Sequence, residues 1–261
     1  MKLTSFKHKT RKGPDYRHGE QVSFQDIQQT FGMGNIRIGN WVTREEKDLA
    51  ANLIFDSFAD LAFMLALPPE AMGLRGNLNL AFGSGGRKGV QAHYAPHQRE
   101  LALAKNAGAG ALAHEFWHAF DHYIADKVFD VRASSIRKTM FASDCWLMDK
   151  TPLVHPLNER LLSIFDTTLL SEDGSDKHDY VARSVSADKI IGKSYFSLPT
   201  EMMARAFEAA IESCPSIRNP YLVSGTTAPD MAPVYPDLAH RTAIYNALIA
   251  YFKPLGEALS R

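Results

Sequence analysis

The sequence predicts an α+β fold in which a small mixed sheet leads into a central helix, with further helices packed around it. Three observations predict it. Between residues 76 and 104 the pattern turns from helical to alternating: Leu78, Leu80 and Phe82 are separated by Asn79 and Ala81, as in a half-buried strand, and two more short strand-like runs follow. On either side of that stretch, residues 43–66 and 108–123 carry apolar residues at helical spacing. Helix-start signals recur through the rest of the chain, with Thr43 and Glu46 forming a capping box, Pro199 opening one apolar run and Asp237 another.

Composition narrows the class. At 261 residues the chain has ample core for one substantial domain, read here as residues 21–261 behind a basic, flexible arm of residues 1–20. Hydrophobic residues make up 45% and charged residues 22%, as in an ordinary globular enzyme. Lys plus Arg and Asp plus Glu both total 29, so the whole protein has no nucleic-acid or membrane signature, and phosphate binding is left to the arm alone. Cys145 and Cys214 lack metal-type spacing and read as free thiols. With no signal-like apolar run near the N-terminus, the expected location is cytoplasmic.

In chain order, residues 21–30 predict a short helix capped by Ser23, and residues 36–38 a short strand within a Gly-rich loop. The helix opened by Thr43 buries a stripe that includes Leu53, Ile54, Phe58, Leu61 and Phe63, and ends at Pro68-Pro69. Strands are expected at 77–82, 90–94 and 100–104. The connection at 83–89 is Gly-rich, but no Lys-Ser or Lys-Thr closes it, so it reads as a hairpin turn and not a phosphate loop. Residues 77–82 are the expected sheet edge, with His93-Tyr94 as the alternative lining of the cleft.

Residues 108–123 hold His114-Glu115-x-x-His118. Four residues apart on a helix, both imidazoles can reach one metal ion while Glu115 projects beside them. This is zinc-hydrolase chemistry: two neutral nitrogens hold Zn2+, and a carboxylate next to the open position can accept a proton from water. The flanking Phe116, Trp117, Ala119 and Phe120 are apolar, and three polar groups in such a run are costly to bury unless something satisfies them. A mixed sheet running into such a helix is the layout expected of zincins, in which an edge strand binds peptide backbone. Asp121 falls on the metal side and reads either as a group that accepts the second ring N–H of a ligand His or orients a neighbouring side chain, or as a plain helix-surface carboxylate. His122 is not expected to ligate, and His93 alone is a weak ligand candidate.

Residues 126–155 lack clean periodicity and are expected to cover one edge of the cleft. A helix follows at 157–170, an acidic loop at 171–177, and an extended or irregular stretch at 180–193 that brings Tyr195 toward the next helix. Tyr195 reads either as an oxyanion donor or as a structural tyrosine. The helix opened by Pro199 supplies the third ligand, Glu201 or Glu208; they are seven residues apart on nearly the same face, and spacing favours neither. Residues 215–236 read as surface loop, and the last helix runs from Asp237 to about Phe252, broken by Pro254.

The run His114-Glu-Phe-Trp-His-Ala-Phe-Asp-His-Tyr123, with Tyr195 and Glu201-Met-Met-Ala-Arg-Ala-Phe207, resembles the gluzincin branch of zinc peptidases and, at these two segments, the catalytic domain of anthrax lethal factor. That resemblance implies His114, His118 and Glu201 as metal ligands, Glu115 as general base and Tyr195 as a catalytic group. The tyrosine stands one residue closer to the ligand Glu here than in lethal factor. Ala81-Phe-Gly, Ala92-His-Tyr and Ala113-His-Glu-Phe-Trp-His-Ala resemble the bacterial CLCA_X family and the large polyvalent protein-associated domains of phage and mobile elements, a likeness that runs over most of the chain. The expected function is therefore a zinc metallopeptidase acting on a peptide or protein. A metal-stabilised domain without catalysis and a mobile-element or nucleic-acid accessory protein are the rival readings.

Overall fold

Reciprocal caps start the first two helices of the computed structural model, which describes residues 10–84, 92–105, 110–131 and 137–261. In α1 (Phe24–Phe31) the Ser23 hydroxyl accepts from the Asp26 amide while the Asp26 carboxylate accepts from the Ser23 amide; Thr43 and Glu46 repeat the arrangement at α2 (Arg44–Met64). Ile54, Phe58 and Leu61 of α2 are fully buried. Phe63, expected in the same stripe, is 55% exposed, because two residues on from Leu61 it projects about 200° round the helix.

The strands β1 (Ile36–Ile38), β2 (Asn79–Phe82), β3 (Ala92–Ala95) and β4 (Glu100–Leu103) form one mixed sheet in the order β1-β2-β4-β3. β2 runs parallel to β1 and β4, and β3 runs antiparallel to β4. The expectation that residues 77–82 form the edge is thus corrected. Leu80, Ala81 and Phe82 are all buried, as an interior strand requires, and the half-exposed β3 lies at the edge. The part of the expected turn and second strand that falls on residues 85–91 lies outside the described residues, as do residues 1–9 of the basic arm and residues 106–109 before the motif.

The remaining helices are α3 (Leu112–Val128), α4 (Ala142–Leu147), α5 (Pro156–Leu169), α6 (Asp179–Ile191), α7 (Pro199–Glu212) and α8 (Leu238–Leu259). α6 occupies the stretch expected to be extended. Its buried positions, Tyr180, Ser184 and Asp188, form a narrow and mostly polar stripe, so apolar periodicity does not reveal it; the His178 side chain caps its start and left-handed Gly192 its end. α8 continues through Pro254 instead of breaking there. Pro254 cannot donate to the Ala250 carbonyl, and the Arg160 guanidinium of α5 does so at 2.8 Å in its place. Gly256 lets α8 close on the end of α2, where a Cβ would meet the Ala66 carbonyl oxygen at 2.0 Å.

Residues 215–236, expected as surface loop, bury Ile217, Tyr221, Leu222, Val223, Val234 and Tyr235. The described part of the arm lies against α2 and this segment: Lys12 and Arg218 exchange backbone hydrogen bonds, Arg11 pairs with Asp60, and Arg17 pairs with Asp56. One hydrophobic cluster extends from Phe24 in α1 to Phe252 in α8. Both cysteines are free and buried, and among the described residues no helix is long and apolar enough to cross a membrane.

Candidate metal centre

The motif helix α3 starts without a side-chain cap. The 219–223 turn meets its start: Ala113 donates to the Leu222 carbonyl (3.1 Å), and Gly110 just ahead of the helix donates to the Tyr221 carbonyl (2.7 Å). Gly110 has a φ of 87°, and a Cβ there would lie 2.4 Å from the Ser224 hydroxyl, so only glycine permits this approach. One turn apart on α3, His114 and His118 bring their Nε2 atoms to 3.1 Å. α7 packs across α3 through Phe207, whose ring centroid lies 4.9 Å from Trp117 and 6.4 Å from Phe116. That packing turns Glu201 toward the imidazoles, with Oε2 3.5 Å from His114 Nε2 and Oε1 3.5 Å from His118 Nε2.

These donors suit zinc. One ligand atom from each of His114, His118 and Glu201 lies within 4.8 Å of the others. The His114 and His118 Nε2 atoms, 3.1 Å apart, stand close to the roughly 3.3 Å that separates ligands 2.0–2.1 Å from a tetrahedral zinc, and the Glu201 carboxylate offers Oε2 to one imidazole and Oε1 to the other, each at 3.5 Å. Glu208 meets the opposite edge of the same imidazole: His114 Nδ1 donates to Glu208 Oε1 at 3.0 Å, with the Nε2 edge facing His118 and Glu201. The two glutamates that spacing could not separate therefore stand at opposite edges of His114. Burial alone would push the His114 pKa down, but Glu208 and Glu201 outweigh it and push it up to about 10. Burial would likewise raise Glu201, but its contacts with His114 and His118 hold it well below the usual carboxylate range. The field at this point favours a cation.

Glu115 is 8% exposed; burial pushes its pKa up, with His114 and His118 opposing. Burial, followed by the charge of the nearby Glu201 carboxylate, pushes the Tyr195 pKa up to about 12. Arg205, 3% exposed, reaches Glu201 at 3.3 Å and the Phe196 carbonyl at 2.6 Å while facing the Tyr195 and Phe196 rings. Asp121 is no surface carboxylate and orients a neighbouring side chain. It is fully buried and both its oxygens serve Ser143, accepting from the amide (2.8 Å) and the hydroxyl (2.5 Å), which ties the start of α4 to α3. His122 bonds to the Tyr94 hydroxyl and the Lys138 carbonyl, away from the donor set, and His93 is exposed on β3.

Sequence reasoning missed the groups that hold Tyr195. Asp188, near the end of α6, accepts from the amides of Tyr195, Phe196 and Ser197 and from the Ser197 hydroxyl. Burial opposes the charge, but these bonds outweigh it and push the Asp188 pKa down to about 2. A carboxylate held below its unfolded value of about 3.9 adds stability above that pH and loses it as the pH falls toward 2. Asp188→Asn is expected to lower the melting temperature by several degrees at pH 6. In thermal melts the gap to wild type should narrow as the pH drops from 4 toward 2. A gap independent of pH would mean that the Asp188 charge does not hold this loop.

Residues 187–259 match the family described as large polyvalent protein-associated domain 1. The matched segment takes in Glu201, Glu208 and Tyr235 and stops short of the motif helix. Neither the curated proteins nor the solved structures contain a match.

Proposed function

We propose that the chain is a zinc-dependent hydrolase, a metallopeptidase of gluzincin type with a zincin-like arrangement of sheet and motif helix. The observation that carries the reading is the convergence of His114, His118 and Glu201, whose ligand atoms lie within 4.8 Å of one another, with Glu115 beside them in the same helix turn. Zinc, when bound, supplies a Lewis acid that makes water a nucleophile near neutral pH and polarises a carbonyl. Glu115 accepts the proton of the attacking water and passes it to the leaving amine. Tyr195, with its phenol beside Glu201, donates a hydrogen bond to the oxyanion that develops on the substrate. As an edge strand, β3 offers backbone groups to an extended peptide. A phosphate-binding role for the basic arm gains nothing from Arg11 and Arg17, which are engaged by Asp60 and Asp56.

The purified protein is expected to contain stoichiometric zinc and to cleave a library of quenched-fluorescent peptides. Stripping the metal with a chelator should abolish cleavage, and added zinc should restore it. Cleavage at full rate by protein free of metal would refute the reading.

A further inference from the structure

We infer that Tyr235 is a positioning residue of the proposed zinc centre, acting on the His114 ligand through Glu208. The inference rests on the zinc reading and extends it to a segment remote in sequence from every ligand. The Tyr235 hydroxyl donates to Glu208 Oε1 at 2.7 Å, and the same oxygen accepts from His114 Nδ1 at 3.0 Å. Glu208 is 5% and Tyr235 9% exposed. Among the described residues, the side-chain hydrogen bonds of Glu208 come from these two groups. A buried carboxylate with one donor can swing about that bond, whereas two donors on one oxygen set its direction.

The physical consequence falls on His114. A carboxylate held in place fixes the imidazole rotation through Nδ1, so the Nε2 edge faces His118 and Glu201.

Tyr235 is itself held firmly. Its ring packs with Ala209 and Val234, its carbonyl accepts from Arg183 of α6 at 3.0 Å, and the Arg241 guanidinium of α8 lies 6.0 Å from its ring centroid. The segment after the 3-10 turn Pro229–Val234 therefore connects α6 and α8 to a metal ligand on α3. A tyrosine that merely filled space on α7 would need no hydroxyl aimed at this oxygen.

The test measures zinc affinity by competition with a chromophoric chelator, and the visible absorption of the cobalt-substituted protein, for wild type, Tyr235→Phe, Glu208→Gln and the double variant. Tyr245→Phe serves as control, because its hydroxyl bonds to the Met64 carbonyl, away from the site. Glu208→Gln is expected to weaken zinc binding about 10- to 100-fold and Tyr235→Phe about three- to tenfold, each with an altered cobalt spectrum. Tyr245→Phe should change neither. The double variant should bind zinc no more weakly than Glu208→Gln alone, since the phenol acts through that carboxylate. Wild-type affinity and an unchanged cobalt spectrum in Tyr235→Phe would overturn the inference while leaving the zinc reading intact, as would full additivity in the double variant. A wild-type protein that takes up no zinc would overturn both. Melting curves of the metal-free variants separate loss of fold from loss of the ligand geometry.

Discussion

Glu115→Gln is expected to bind zinc as the wild type does and to cleave the peptide library about 10²- to 10⁴-fold more slowly, the range contributed by a positioned proton acceptor. The substitution keeps the shape of a side chain that is 8% exposed. What it loses is the ability to take up a proton from water and release it to the leaving amine. Zinc content and cleavage rate, measured on the same preparation, separate these effects. A fully zinc-loaded Gln variant that cleaves at the wild-type rate would remove Glu115 from the mechanism. A variant that loses zinc would instead make Glu115 part of the metal's support.

The second large effect concerns Glu201. Glu201→Gln is expected to weaken zinc binding by well over the roughly 100-fold that an outer partner costs, because it removes a ligand and a negative charge together. The glutamine variant is the informative one. Truncation to Ala would also strand Arg205, a buried cation whose guanidinium bonds to Glu201, and an unpaired buried charge destabilises the fold by itself. The amide keeps an oxygen for Arg205 and preserves the packing of α7. Chelator competition, with melting curves of the metal-free proteins as the control for folding, reads the result. Undiminished zinc affinity would move the third ligand elsewhere, and the gluzincin assignment would fall with it.

Glu201 and Glu208 mark where the sequence stops being informative. Seven residues apart, they share a face of α7, and helical period alone makes them equivalent. Which one meets the Nε2 side of His114 and which the Nδ1 side follows from how Phe207 of α7 seats on Trp117 of α3. The same limit applies to Asp121. Its position on the motif helix was legible, but its partner Ser143 belongs to α4, a helix of six residues that no periodicity announces. α6 escaped notice because its buried stripe is largely polar, and Tyr235 because it follows a Pro-rich stretch that resembles exposed loop.

The caps at Ser23, Thr43 and Asp237 and the one-turn spacing of His114, Glu115 and His118 were determined by the sequence itself, since each depends on groups within four residues of one another. Only the tertiary structure decided that β3 and not β2 forms the sheet edge, that Arg160 stands in for the hydrogen bond Pro254 cannot make, and that Tyr235 reaches Glu208. The division has one physical cause. Short-range order is set by backbone geometry and neighbouring side chains, whereas the rotation of one helix against another, the order of strands and the meeting of distant polar groups are set by long-range packing, which has no period along the chain.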